Sequence, residues 1–211
     1  MFEIKITSKK YGKKIVLENI NLNIPNNGIY GLVGKNGEGK TTFFKCIKSL
    51  TDFEGSVLMN NNKLTQSEIA WSPTEPIIYE ELTAKEFSKF YCELLKIPYN
   101  DFCLFDVPQN KLIKEFSTGM KKKANLNAIL QKRYKVYVFD EPFNGLDLES
   151  NYQLMLYIKE ISKTSIVFIS SHILEILYKE CDMIFIMKNK NITAFEKSDF
   201  GRIENELFKQ N

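Results

Sequence analysis

An α/β fold built around a mainly parallel sheet is predicted by three features of this 211-residue chain. A glycine-rich loop follows an apolar run at residues 29–33 and precedes a helical pattern. A second apolar run at residues 135–139 ends in two adjacent carboxylates, and strand and helix patterns alternate from there on. The length suits a single domain over residues 1–211, and a hydrophobic fraction of 44% allows a substantial core.

Taken in order, residues 2–6, 15–24 and 55–59 read as strands of a smaller antiparallel sheet, with Asn60, Asn61 and Asn62 as a turn. Residues 29–33 are a buried strand leading into GKNGEGKTT at residues 34–42, which fits G-x-x-x-x-G-K-[ST] with Gly34, Gly39, Lys40 and Thr41 at the fixed places. Asn36, Gly37 and Thr42 complete that loop. Glycines let successive N–H groups turn toward one anion, and the next helix adds its positive end. Lys40 then reaches the β- and γ-phosphates, and the Thr41 hydroxyl is a candidate Mg²⁺ ligand beside phosphate oxygens and water. A glycine turn that happens to end in lysine is the plain structural alternative.

Between residues 80 and 132 the apolar spacing becomes helical, an inserted α-helical subdomain with Phe87, Phe90, Tyr91, Leu94 and Leu95 on one core-facing stripe. Residues 135–139 form a buried strand that Asp140 and Glu141 end and Pro142 cannot continue. Ligands of open α/β sheets sit at the carboxyl ends of strands. Asp140 is therefore a candidate Mg²⁺ ligand and Glu141 a candidate general base for an attacking water. Taken alone, the pair also reads as an acidic turn closing a core strand. A strand at 165–169, a helix near 173–180, a strand at 183–187 and a polar tail at 195–211 follow.

Residues 11–190 resemble the nucleotide-binding domain of ABC transporters, particularly the compact ATPases of bacterial exporters. The resemblance rests on the loop and the Asp140–Glu141 pair together with four further segments. Phe116, Ser117, Thr118, Gly119 and Met120 stand in the place of an LSGGQ-like signature ahead of a helix at about 120–131. Asn144, Gly145, Leu146 and Asp147 resemble a D-loop, and Ser170, Ser171 and His172 a switch histidine. Tyr11 lies where the family stacks an aromatic ring on adenine.

This resemblance implies a P-loop NTPase core with an antiparallel β subdomain and an inserted helical one. It implies a Mg²⁺-dependent ATPase that uses ATP, with Lys40, Glu141 and His172 in catalysis and His172 hydrogen-bonded to the γ-phosphate. It also implies a dimer, either of this chain or with a homologous nucleotide-binding subunit, in which Ser117 and the Gly119 amide close over the other subunit's γ-phosphate. Ser117 reads equally as an ordinary helix N-cap, and both roles are compatible. Position 74 is threonine where the family usually has the Q-loop glutamine. Glu75 or a bridging water is expected to take over part of its role. Thr118 and Met120 also depart from the commonest signature.

No uninterrupted apolar stretch is long enough to cross a bilayer, and no signal-like start is present, so a transport role requires a separate transmembrane permease subunit. The expected place is peripheral, on the cytoplasmic face of the membrane. Cys46, Cys92, Cys103 and Cys181 lack metal-site spacing and read as reduced thiols. A net charge of +3 and the absence of a recognition motif do not point to nucleic acid. The run Lys121, Lys122, Lys123 reads as a solvated helix face. The leading expectation is the ATP-hydrolysing subunit of an exporter, energised by ATP-driven dimerisation. A soluble ABC ATPase that remodels a cytosolic complex is the alternative, and a regulatory ATP-binding switch is a third reading.

Overall fold

Alternating apolar residues set the first layer. In the computed structural model, which describes residues 1–208, Phe2, Ile4 and Ile6 point inward along β1 (Phe2–Tyr11) and Ile20, Leu22 and Ile24 along β2 (Lys14–Ile24). The chain continues through β3 (Gly28–Val33), α1 (Lys40–Ile47), β4 (Glu54–Met59), β5 (Asn62–Lys63) and β6 (Ile69–Ser72). Asn60 and Asn61 adopt φ values of 49° and 64°, the two-residue turn geometry that matches strand twist, so β4 and β5 form a hairpin. The antiparallel sheet runs in the order β2-β1-β4-β5.

The helical lobe holds α2 (Ala84–Leu95) and α3 (Thr118–Ile129). Thr83 caps α2 reciprocally with Glu86, each using the other's backbone N–H. The expected stripe is only partly right, because the buried face of α2 runs through Ala84, Phe87, Ser88 and Cys92. Leu94 is 63% exposed, and Phe90 packs edge-on against Tyr79 instead of entering the core. Spacing accounts for the rotation: positions 84, 88 and 92 share one face with 87 at its edge, whereas 90 falls on the far side and 94 lies just beyond the edge that 87 marks.

The remaining elements are β7 (Val136–Phe139), α4 (Leu148–Ser162), β8 (Ile166–Ser170), α5 (Leu174–Glu180), β9 (Met183–Lys188), β10 (Asn191–Glu196) and α6 (Ile203–Phe208). They complete a six-stranded sheet in the order β10-β9-β3-β8-β7-β6, parallel except for β10. Every residue of β3, β7 and β8 is buried, as expected of parallel strands covered on both faces. Strand alternation feeds two cores. Ile29, Val33, Tyr137 and Phe139 pack with α3 and α4 on one side, while Tyr30, Leu32, Val136 and Val138 pack with α1 and the antiparallel sheet on the other.

The expectation of a polar tail at 195–211 is corrected for its described part. Asn189 and Lys190 both adopt positive φ, which folds β10 back on β9, and Phe195, Phe200, Ile203 and Leu207 are buried in the larger core. Four apolar residues sufficed because each reaches the same face of the sheet. Residues 209–211 lie outside the described part.

Candidate functional site

The glycine-rich loop leaves β3 and enters α1 at Gly39, whose φ of 112° disfavours any side chain and whose added Cβ would lie 3.0 Å from Leu17. Lys40 is buried and folds its ammonium back onto the loop, with Nζ donating to Gly34 O at 2.7 Å and to Lys35 O at 3.4 Å. Burial pushes its pKa down, opposed by the carboxylates of Glu141, Asp140 and Glu38.

The ends of two neighbouring strands bring the acidic groups to this loop. Thr41 Oγ1 donates to Asp140 Oδ2 at 2.6 Å, and Ser170 Oγ, from the end of β8, donates to Asp140 Oδ1 at 2.7 Å. The same Ser170 oxygen accepts from Glu141 N at 2.8 Å. Glu141 sits at φ 51°, a region that a side chain rarely adopts and that is enriched at functional sites. His172 Nε2 lies 3.0 Å from its Oε1, and Asn144 Nδ2 lies 3.4 Å from its Oε2. Burial raises the Glu141 carboxyl pKa, with the charges of His172 and Lys40 pulling the other way. A buried carboxylate with an elevated pKa suits a proton acceptor.

These groups line one cleft of about 520 Å³, within the range of small-molecule sites. Of the residues singled out from the sequence, Tyr11, Asn36, Gly37, Gly39, Lys40, Thr41, Thr42, Asp140, Glu141 and His172 all meet there. Gly34 contributes from beneath through its bond to Lys40. Ser117 and Gly119 stand apart from the cleft, on the first turn of α3. Ser117 Oγ caps that helix, accepting from Met120 N at 3.3 Å.

Thr74 lines the cleft, whereas Glu75, equally exposed, is not part of its lining. The donor set suits Mg²⁺. Thr41 and Asp140 present one hydroxyl and one carboxylate oxygen side by side, and this hard ion is commonly held by few protein oxygens together with substrate phosphates. Among the described residues no cluster of three His, Cys, Asp or Glu side chains competes for a metal.

The lysine run is a solvated face only in part. Lys121 pairs with Glu80 at 2.5 Å and Lys123 with Asp147 at 2.6 Å, while Lys122 is buried and donates to Glu141 O and Asn144 O. Three adjacent lysines on a helix point in three directions, so each finds its own acceptor. Sequence reasoning also missed Lys14 and Val16, which line the cleft beside Tyr11. Strand alternation from Tyr11 across the hairpin was the available signal. All four cysteines are free thiols.

A sequence model described as ABC transporter matches residues 17–144, more than half of the chain. The chain belongs to the ABC transporter family. Relatives agree over nearly the whole length. It is 31% identical to the lantibiotic transport ATP-binding protein SrtF of Streptococcus pyogenes, with 99% of this chain and 96% of that protein covered. It is 28% identical to the ABC transporter ATP-binding protein YtrB of Bacillus subtilis, covering 99% and 75%. It is 26% identical to the linearmycin resistance ATP-binding protein LnrL of the same species, covering 92% and 68%. A solved ATP-binding subunit of an ABC transporter superposes with a TM-score of 0.85 over 100% of this chain and 95% of that one, at 24% identity, which supports the fold. As a member of this family, the chain is an ATP-binding and ATP-hydrolysing subunit that energises transport. No helix among its described residues is long and apolar enough to cross a membrane.

Proposed function

We propose that this ABC ATPase subunit hydrolyses Mg²⁺-bound ATP at a site shared between two nucleotide-binding subunits, and drives export through a separate transmembrane permease at the cytoplasmic face of the membrane. One observation carries the reading. Lys40, Thr41, Asp140, Glu141 and His172 meet in one cleft, while Ser117 and Gly119 lie outside it on an exposed helix start. A second subunit is the natural source of the missing face.

Within one subunit the loop amides and Lys40 bind the phosphates, and Tyr11 stacks on the adenine. Thr41 and Asp140 would hold Mg²⁺, which would neutralise charge on the transferred phosphate group. Glu141 orients the attacking water and accepts its proton, and its neighbour His172 donates a hydrogen bond to the γ-phosphate. Ser117 and the amide of Gly119 from the second subunit then complete the donor set around the γ-phosphate. The export direction rests on likeness to lantibiotic transport and linearmycin resistance proteins.

Glu141→Gln should bind ATP without turning it over and so hold the dimer closed. The test is gentle solubilisation of membranes containing the tagged variant with ATP, followed by identification of what copurifies. Recovery of a multi-spanning membrane protein at comparable yield is the expected result. Recovery of soluble assemblies alone would replace the transporter reading with that of a remodelling ATPase.

A further inference from the structure

Lysine is rarely fully buried without partners, yet Lys122 keeps only 6% of its surface exposed on α3. Its Nζ donates to Glu141 O at 2.7 Å and to Asn144 O at 2.8 Å. These are the first and last carbonyls of a tight turn, which Asn144 N closes onto Glu141 O at 3.4 Å. Glu141 starts that turn in the left-handed region, at φ 51°. One turn earlier on the same face of α3, Gly119 approaches so closely that an added Cβ would lie 2.7 Å from Gly145 O. The start of α3 and the loop carrying Glu141 therefore meet backbone to backbone, fastened by one ammonium.

We propose that Lys122 is a positioning residue for the reaction, holding the backbone of Glu141 in the left-handed conformation that presents its carboxylate to the nucleotide cleft. The inference rests on Glu141 serving as the general base. Left-handed backbone is unfavourable for a side chain bearing a Cβ and persists only where surrounding contacts over-determine it. Two charge-assisted bonds to the ends of the turn, together with Ser170 Oγ accepting from Glu141 N, supply that determination. Among the described residues no other side chain bonds to either carbonyl. Burial brings the Lys122 pKa down to about 8, with Glu141 and Asp140 opposing, so the group is mainly charged at neutral pH. The same two bonds tie the signature segment to the base within one chain, although that segment serves the other subunit's nucleotide.

Lys122→Met keeps the apolar stem and removes the donors, and Lys122→Gln keeps two N–H donors on a shorter arm. Both are compared with wild type and Glu141→Gln in steady-state ATP hydrolysis and in the affinity for a fluorescent ATP analogue. The expected order of kcat is wild type, then Gln, then Met, with Met down at least about tenfold and the KM for ATP and analogue affinity unchanged. Glu141→Gln inactive but Lys122→Met within about twofold of wild type would overturn the inference while sparing the base. Parallel loss of kcat and nucleotide affinity in both lysine variants would also overturn it, since that is the signature of a loosened fold. Retained turnover in Glu141→Gln would instead remove the base assignment on which the inference stands.

Discussion

Thr41 and Asp140, 99 residues apart in the chain, are in direct contact, with the threonine hydroxyl donating to the aspartate carboxylate at 2.6 Å. Asp140's second oxygen is taken by Ser170 at 2.7 Å. Two hard oxygen donors are thus gathered on separate elements, one at the start of α1 and one at the end of β7, and one of them is oriented by a neighbouring strand. Binding Mg²⁺ requires the Thr41 hydroxyl to turn from donating a proton to offering a lone pair. That change is small because the oxygens are already side by side.

This arrangement makes metal dependence separable from nucleotide binding. Chelation with EDTA should stop turnover and excess Mg²⁺ restore it, while Asp140→Asn stays inactive at any Mg²⁺ concentration. Ser170→Ala removes the group that orients Asp140 and also the acceptor of Glu141 N, and such outer partners typically cost roughly 10- to 100-fold in metal affinity. Titrating ATPase activity with Mg²⁺ should therefore shift the midpoint upward by that factor, with a lower maximum as well because Glu141 N loses its acceptor. An unmoved midpoint would show that Ser170 does not tune the metal.

Gly119 tests the backbone contact between α3 and the loop after Glu141. A Cβ there would stand 2.7 Å from the Gly145 carbonyl oxygen, which is backbone and cannot swing aside. Gly119→Ala should cost about 1–3 kcal/mol in denaturant unfolding and depress turnover through the displaced loop. Gly201→Ala, where nothing lies within 4 Å, is the matched control and should be neutral within about 0.5 kcal/mol. Equal behaviour of the two variants would refute the contact.

The cleft was legible because its chemistry is local: Gly34 to Thr42 form one contiguous loop, and Asp140 and Glu141 end one strand. Ser170 was visible only as a neighbour of His172, since its bonds to Asp140 and Glu141 come from the pairing of β7 with β8, a long-range fact. Lys122 was hidden for a related reason. A lysine run reads as surface, and only the packing of α3 on the Glu141 turn separates its three directions. The strand β10 was missed because Ile192, Ala194 and Phe195 break strict alternation, and the turn at Asn189 and Lys190 carries no glycine.

Lys48 should leave a mark on the pH dependence of stability. Its ammonium donates to the carbonyls of Gln66 and Ile69, and burial, aided by the charge of Lys132, brings its pKa down from 10.5 to about 8. Between those two values the unfolded chain holds the proton while the folded chain releases it, so this group stabilises the fold as pH rises and the gain is lost as pH falls through 8. Lys122 contributes in the same window, so the informative quantity is wild type minus Lys48→Met. That difference should move in favour of wild type by about 1 kcal/mol between pH 8 and 10.5, after allowance for partial solvent exposure. A difference that stays flat in urea unfolding across this range would contradict the assigned shift.

Asn127 governs a segment with little regular structure. Residues 96–112 have no strand neighbour for most of their length, and side-chain amides on α3 and just beyond its end serve in its place. Asn127 Nδ2 donates to Phe105 O at 2.8 Å and its Oδ1 accepts from Phe105 N at 2.9 Å, while Gln131 Nε2 reaches Phe102 O at 2.8 Å. Both Asn127 and Phe105 are buried, so Asn127→Leu leaves a backbone donor and acceptor unpaired away from water. Each such group costs about 1–3 kcal/mol, offset in part by the added apolar contact. A net loss of about 2–4 kcal/mol in denaturant unfolding is expected, with hydrogen exchange at the Phe105 amide accelerated well beyond that of the β7 amides. Lost stability with Phe105 exchange unchanged relative to β7 would place the damage in α3 packing and reject the pairing as the cause.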